Sequence, residues 1–505
     1  MEGADRTLLT VALMLAVLMQ VLDTTIANVA LPHMQATLGA TQESINWVLT
    51  SYIVASAIAI PIAGWLADRI GRKRLLVLAT TGFTAASFLC AIATSLPEMV
   101  VFRALQGVSG AFLVPLAQAT LFDIYPREKH GQAMAMFGGG IMIGPIMGPL
   151  IGGWLTDSFD WRWVFLVNLP VGVLAGVMLW RYLPKMKVTQ RRFDLFGFVL
   201  IALALSSLQM MLDRGQQLDW FQSWEVRVEA GLCLISFWIF VIHIITGKSP
   251  LFERKMFSDR NFATGMMFMA VMGLLMLAGL ALLPPLLQRL YGYSVFQSGL
   301  LTMPRGVGTL FSMVLASRFG TRIDTRLLIA FGLGLMGFSL YLMTQFALVQ
   351  GAGPVVVSGL VQGLGLGLLF ATVQVIAFAT LEPRLRTAAS SLLNLARNVG
   401  GSAGISMVSA LLVRNIQQSH SDLAQHITDQ TLPPMLSAMI SSIGLPAISA
   451  MAFVDAQINQ QAAFIAYIDD FYLMMWVTLG AIPLVLILRP TRDGADSGGP
   501  TVMAD

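Results

Sequence analysis

Apolar residues in this chain come in long unbroken runs, not in the short alternations or half-polar stripes of water-soluble domains. Fourteen runs stand apart, divided by charged or Pro/Gly-rich breaks, near 8–31, 45–66, 75–95, 98–121, 133–155, 162–183, 195–212, 228–247, 262–287, 296–317, 326–347, 354–380, 388–412 and 464–488. At 1.5 Å rise per residue each can cross a hydrocarbon layer of about 30 Å as one helix, with 195–212 the tightest fit. The pattern predicts an all-α membrane protein with fourteen transmembrane helices. The connection 414–463 is read as an outer-face loop with short amphipathic helices, because Pro433, Pro434 and Pro446 interrupt its apolar patches.

The order of basic residues tests that count. With both ends cytoplasmic, one set of connections holds 23 of the 31 Lys and Arg residues, among them Arg6, Arg69, Arg72, Lys73, Arg74, Arg127 and Lys129. The opposite set holds Arg162, Arg214, Arg227, Arg289 and Arg414, and three more, Arg103, Arg305 and Arg397, fall inside runs. Basic loops stay on the cytoplasmic side, so the asymmetry orients the chain, and one miscounted crossing would scramble it downstream. Composition agrees. A chain of 505 residues that is 56% hydrophobic and 11% charged has more apolar surface than a soluble fold can hide. The net charge of +4 gives no reason to expect nucleic acid as a partner, whereas membrane lipid is the solvent. Cys90 and Cys233 both sit mid-run, which excludes a disulfide framework. The first run carries Asp23 and lacks a small-x-small cleavage site, so it is expected to remain as a helix and not to be removed as a leader.

The chain also repeats itself. Arg103-Ala-Leu-Gln106-Gly107 in the fourth run is echoed by Gly359-Leu-Val-Gln362-Gly363 in the twelfth, and Pro126-Arg127 by Pro383-Arg384, about 257 residues on. The division this predicts is a six-helix bundle over 1–184, two inserted helices over 185–260, a second six-helix bundle over 261–490 and a tail over 491–505. Two matched halves meeting at a central cavity is the layout of a rocking transporter. The copies differ where charge is concerned: Gly359 stands where the first half has Arg103, and Arg397 where it has Gly140.

Asp23 is the one acidic residue read as lying well inside a run. A carboxylate there costs about 2.5–3.5 kcal/mol to insert, which favours a functional role over decoration. It is the candidate proton carrier, with a structural Asp hydrogen-bonded through Thr24, Thr25 or Asn28 as the less favoured alternative. Arg103 needs an acceptor and could pair with Asp23 or with backbone carbonyls, with Gln106 one turn on along the same face. Gln20, Asn28, Gln106, Arg305, Asn394 and Arg397 are the candidate lining of a substrate cavity. Gly140, Gly144, Gly148 and Gly152, set with Pro145 and Pro149, form a small-residue ladder on one helix face. It is expected to close against the other half near Gly306, with a static packing seam as the alternative. The turn Gly64-Trp-Leu-Ala-Asp68-Arg69-Ile-Gly71-Arg72 is a candidate gate, Asp68 being its expected latch. Thirty methionines suit either an adaptable apolar pocket or a lipid-facing surface.

No P-loop, metal-spaced histidine cluster or nucleophile–base pairing is present in the sequence, and His33, His130, His243, His420 and His426 are scattered at edges and in loops. An enzyme is therefore not expected, nor a metal site. No cofactor is expected either; the energy source would be a proton gradient.

Several segments together resemble the major facilitator superfamily. Gly64-x-Leu66-Ala67-Asp68-Arg69-x-Gly71-Arg72-Lys73 is similar to its loop signature, Arg103-x-x-Gln106-Gly107 to its helix-four signature and Gly140-x-x-x-Gly144-Pro145-x-x-Gly148-Pro149 to its antiporter signature. Leu22-Asp23-Thr24-Thr25 through Pro32 resembles the first-helix signature of the fourteen-span drug:proton antiporter branch, and Met211 to Phe221 looks like EmrB-type exporters. The resemblance implies a bacterial inner-membrane pump that expels amphipathic small-molecule drugs against proton entry. It further implies a periplasmic adaptor (membrane fusion protein) and an outer-membrane channel as partners. A proton-coupled uptake symporter for a small metabolite on the same fold is the alternative, against which the antiporter-like ladder argues.

Overall fold

The computed structural model describes residues 3–41, 44–126, 129–184, 188, 192–247, 250–319, 323–426 and 447–489. Fourteen long helices account for the fourteen apolar runs. They are α1 (Gly3–Thr37), α2 (Ser44–Ile70), α3 (Arg72–Ile92), α4 (Leu96–Ile124), α5 (His130–Ser158), α6 (Trp163–Tyr182) and α7 (Leu195–Arg214). They continue as α8 (Trp224–Thr246), α9 (Arg260–Leu290), α10 (Val295–Phe319), α11 (Thr325–Thr344), α12 (Gly353–Ala379), α13 (Arg386–Ala424) and α14 (Ala447–Gly480). Thirteen of them are apolar enough over a sufficient length to cross a membrane, and α5 covers the fifth run with 29 residues.

Their starts are written locally. Asp194 caps α7 by accepting from Gly197 N at 2.9 Å, Asp259 caps α9 through Phe262 N at 2.9 Å, and Asp324 caps α11 through Arg326 N at 2.9 Å. Each satisfies one of the orphan N–H groups of a helix start. Between α2 and α3 the chain turns on Gly71 alone, at φ +89°, a conformation that an L side chain resists.

The reading of 414–463 as a loop with short amphipathic helices is corrected. Residues 414–424 continue α13, and 447–463 belong to α14. Neither stretch contains Gly or Pro, so a helix begun in lipid propagates into water once the hydropathy signal has ended. Residues 427–446, with Pro433, Pro434 and Pro446, lie outside the described residues, as does the tail 491–505.

Packing repeats between the halves. α1 lies on α5 as α9 lies on α13; α2 on α4 as α10 on α12; α3 on α4 as α11 on α12; and α3 on α6 as α11 on α14. The inserted α7 and α8 form a hairpin, and α7 leans on both α2 and α13. Ser406 of α13 ties into that contact, its hydroxyl donating to Leu212 O at 2.8 Å. The two halves meet along α5 and α10, and where Ala63–Ile70 of α2 and Leu113–Ile124 of α4 touch α13. Those portions of α2 and α4 lie toward the end that carries Arg72 and Arg386, called here the basic end.

Candidate functional site

The first half encloses a charge cluster without solvent access. Asp23 of α1 is 0% exposed and Arg103 of α4 is 1% exposed. Arg103 Nη1 donates to Asp23 Oδ2 at 2.6 Å and to Gln106 Oε1 at 2.6 Å, while its Nε donates to Val48 O at 3.1 Å. Asp23 Oδ1 accepts from Gln106 Nε2 and from Asn168 Nδ2, both at 2.8 Å. Behind them Ser87 Oγ accepts from Gln106 Nε2 at 2.7 Å. Tyr52 places its ring 4.4 Å from the Arg103 guanidinium carbon and takes a hydrogen bond from Gln20 Nε2 at 3.1 Å. A carboxylate can only accept, and here three donors converge on it, so the cluster is fitted to the ionised acid.

Of the two partners open to Arg103 from the sequence, the structure uses both. Gln106 joins as expected from its spacing. Asn168, Ser87 and Tyr52 were not anticipated, because a neutral polar residue inside an apolar run leaves no periodic trace. Gln20 adjoins the cluster through Tyr52. Asn28 stands apart on the exposed side of α1, donating to Thr24 O at 3.2 Å.

The second half builds the matching place differently. A Cβ on Gly107 would collide with the carbonyl of Tyr52, and one on Gly363 with the carbonyl of Arg305, so Tyr52 and Arg305 occupy matching positions on α2 and α10. Arg305 therefore lies opposite Gly359, where the first half sets Arg103 opposite Tyr52. The arginine has moved from one helix to its neighbour. Arg397 of α13 is half-buried, and its Nη1 has no hydrogen-bond partner among the described residues. Asn394 is 2% exposed. Its Nδ2 donates to Gln118 Oε1 at 3.0 Å across the interface between halves, beside Ser390 and the Gln118–Gln374 pair.

The glycine ladder faces a different partner from the one expected. Gly144 abuts Val21, Gly148 abuts Thr25, and at Gly152 and Gly140 a Cβ would sit 3.0 Å from Ile26 and 3.1 Å from Met14. The ladder thus seats α1 of its own half and not α10 near Gly306. The reason is angular: residues one apart on a helix diverge by about 100°, so the face toward α10 belongs to Gly131 and Gly139, which meet Ser317 and Leu310. Pro145 and Pro149 lie within α5, and their side chains are outside the described residues.

The 64–72 turn does reach the other half. At Gly64 a Cβ would stand 3.0 Å from that of Ala388 on α13. Arg72 pairs with Asp123 of α4 and donates to Thr387 Oγ1 at 2.9 Å. Asp123 also accepts from Arg386 Nη1 at 2.8 Å. Asp123, which sequence reasoning passed over at a run's edge, is the acid of this latch, flanked by two arginines. Arg69 lies over the Trp65 ring at 5.7 Å, and Asp68 is half-buried in the last turn of α2. A second acid also emerges. Asp470 is 1% exposed, and both its oxygens lack hydrogen-bond partners among the described residues. It was read as lying near a run's start because α14 begins 17 residues earlier than the apolar signal at 464. A cleft of about 860 Å³ opens between α1, α5 and α10, with Met14, Leu18, Met136 and Val314 on its walls.

Apolar helices packed in two matching halves, with an ion pair sealed inside one of them, define a multi-pass membrane transporter. The chain belongs to the Major Facilitator Superfamily, whose family model matches residues 13–405. It is 34% identical over 501 residues to fatty acid resistance protein FarB of Neisseria gonorrhoeae, covering 99% of each chain. It is 32% identical over 505 residues to multidrug export protein EmrB of Escherichia coli (strain K12), covering 99% of this chain and 98% of that one. The likeness to EmrB-type proteins expected from the motifs thus extends along nearly the whole chain. Among solved structures it is similar to the human organic anion transporter MFSD10, at TM-score 0.60 and 13% identity over 95% of this chain and 100% of that one. An inward-facing bacterial homolog of the human lysosomal transporter Spinster gives TM-score 0.53 and 18% identity, covering 96% and 98%. At such identities these two share the fold alone.

Proposed function

We propose that the chain is a proton-coupled exporter of amphipathic and lipophilic small molecules across a bacterial inner membrane, with both termini cytoplasmic. The observation that carries this reading is the sealed Asp23–Arg103 pair. A proton arriving on Asp23 Oδ2 turns an acceptor into a donor and displaces Arg103 Nη1, which keeps Gln106 Oε1 while Nε keeps Val48 O. The cluster must then re-pair, which is how one proton alters the packing of α1 against α4. With the basic end closed by Arg72, Asp123 and Arg386, Asp23 would be loaded from the periplasmic side, whereas the cleft between α1, α5 and α10, edged by Lys129 and Arg318, lies toward the basic end. Opening of the basic end would release the proton to the cytoplasm, restore the ion pair and admit the next cargo.

The names of the relatives, a fatty acid resistance protein and a multidrug export protein, support an amphipathic cargo. So does the apolar cleft of about 860 Å³, which is within the range of drug-sized pockets. The 1–184 and 261–490 halves would be the rocking bodies. A periplasmic adaptor and an outer-membrane channel would complete the export path. The 39 residues of α13 support a docking role, since at 1.5 Å each they run to about 58 Å, well beyond a hydrocarbon core of about 30 Å.

Drug uptake into inverted vesicles, with and without an imposed pH gradient, tests the reading. Uptake should follow the gradient, and Asp23→Asn should abolish gradient-driven uptake while leaving folded protein in the membrane. Uptake unchanged on collapse of the gradient, with no other ion gradient present, would overturn it.

A further inference from the structure

Both halves bury an arginine, but only the arginine of the first half is paired with an acid among the described residues. Advancing 256 residues from Asp23 and from Arg103 arrives at Gly279 and at Gly359. Both glycines flank Arg305. A Cβ on Gly279 would sit 3.2 Å from Arg305 Nη1, and one on Gly359 would sit 3.9 Å from Arg305 Cβ. Gly279 thus holds the place relative to Arg305 that Asp23 holds relative to Arg103, without the carboxylate.

Among the described residues no acid forms an ion pair with Arg305, and the buried Asp470 of α14 has both oxygens without hydrogen-bond partners. From Arg260 to Ser421 the sequence contains only Asp324 and Glu382, both in connections between helices. Asp324 caps α11, and Glu382 pairs with Arg384 at 2.6 Å. Arg305 is 9% exposed, and among the described residues its side chain makes one hydrogen bond, from Nη2 to the backbone carbonyl of Met276 at 3.3 Å. A guanidinium stays charged at any physiological pH and offers five donors in a planar fork, so burying it with one long bond is costly unless an anion arrives. The guanidinium borders a cavity of about 40 Å³ that also involves Thr302, Thr309, Met276, Leu366 and, from the other half, Met142. That volume is close to the ~30 Å³ share of one liquid water. It has room beside the guanidinium for a single oxygen atom of an anionic head, and its walls beyond the threonines are apolar.

We infer that Arg305 is the receptor for the anionic head of a transported amphiphile, a carboxylate on an apolar body taking the place relative to Arg305 that Asp23 takes relative to Arg103. The inference rests on the exporter reading for its cargo. Because Met142 brings α5 into the same cavity, occupancy of the head site is sensed at the junction of the halves. A small inorganic anion such as chloride has the same charge, and the test separates the two.

The full-length protein in nanodiscs is titrated calorimetrically with dodecanoate and with its uncharged methyl ester. Arg305→Gln should reduce selectivity for dodecanoate over the ester by about 10–100-fold, the range of a charge-assisted hydrogen bond. Gly279→Asp supplies the carboxylate within the chain; it should cause the same loss of selectivity while raising Tm, so the inference remains testable even if Arg305→Gln fails to fold. Unchanged selectivity in Gly279→Asp would overturn it. So would complete displacement of dodecanoate by chloride together with chloride-dependent stabilisation of the unaltered protein that Arg305→Gln lacks, which marks an inorganic-anion site. Dodecanoate binding that obeys these rules in a protein showing no gradient-driven transport of any cargo would sink the exporter reading and leave the anion receptor standing.

Discussion

At Asp23 three donors from three different residues meet one carboxylate, so the loss of any one leaves part of a buried charge unsatisfied. Asn168→Ala leaves the ionised form short of one bond, worth about 1.5–3 kcal/mol to a charged acceptor. Drug–proton exchange by the Asn168→Ala protein should therefore slow by about 10-fold or more. An unchanged exchange rate would mean that the Asn168 contact is passive. Arg103→Lys keeps the charge but cannot serve Asp23, Gln106 and Val48 from one rigid fork, so exchange should slow even though the ion pair remains possible. Asp23, Arg103 and Gln106 were legible in the sequence because a charge in an apolar run is costly and therefore conspicuous. Asn168 and Ser87 carry no such cost and became visible only when α3, α4 and α6 were seen to converge on α1. Asp470 was hidden for another reason, since its depth depends on where α14 begins.

Among the helices, α5 shows how spacing determines contacts but not partners. The four-residue ladder was legible as a close-packing face, and it is one, yet nothing along α5 says which helix fills it. Bulk at Gly148 would collide with Thr25 of α1. Gly148→Leu should therefore destabilise the bundle by about 1–3 kcal/mol and block transport. Gly153→Leu, where a Cβ would meet nothing within 4 Å, should be tolerated in thermal melts and transport assays. Equal tolerance of both would show that the α1–α5 seam is not tight. The helix count was legible because lipid demands long apolar runs. The outward extension of α13 and α14 was not, because hydropathy marks where the bilayer ends and says nothing of where a helix does.

Across the whole molecule, closure depends on contacts concentrated at the basic end. Asp123 is held by Arg72 from its own half and by Arg386 from the other. Its side chain is 21% exposed, so each pair contributes at the modest scale of about 0.2–1 kcal/mol. Asp123→Ala should thus shift the balance of open and closed forms by a few-fold and leave the fold intact. Spin labels replacing the exposed Leu78 of α3 and Leu327 of α11 would report it as a larger share of long distances in pulsed electron resonance. An identical distance distribution would assign closure to the Gln118–Gln374 and Asn394 contacts instead.

The lean of α7 against both α2 and α13 makes the molecule handed toward the surrounding bilayer. Among the described residues one flank, where α5 meets α10, has no covering helix pair, while α7 and α8 lie along the opposite flank. A guest dissolved in the leaflet has one side door through which to approach, and a crosslinkable lipid analogue should mark α10 far more than α13.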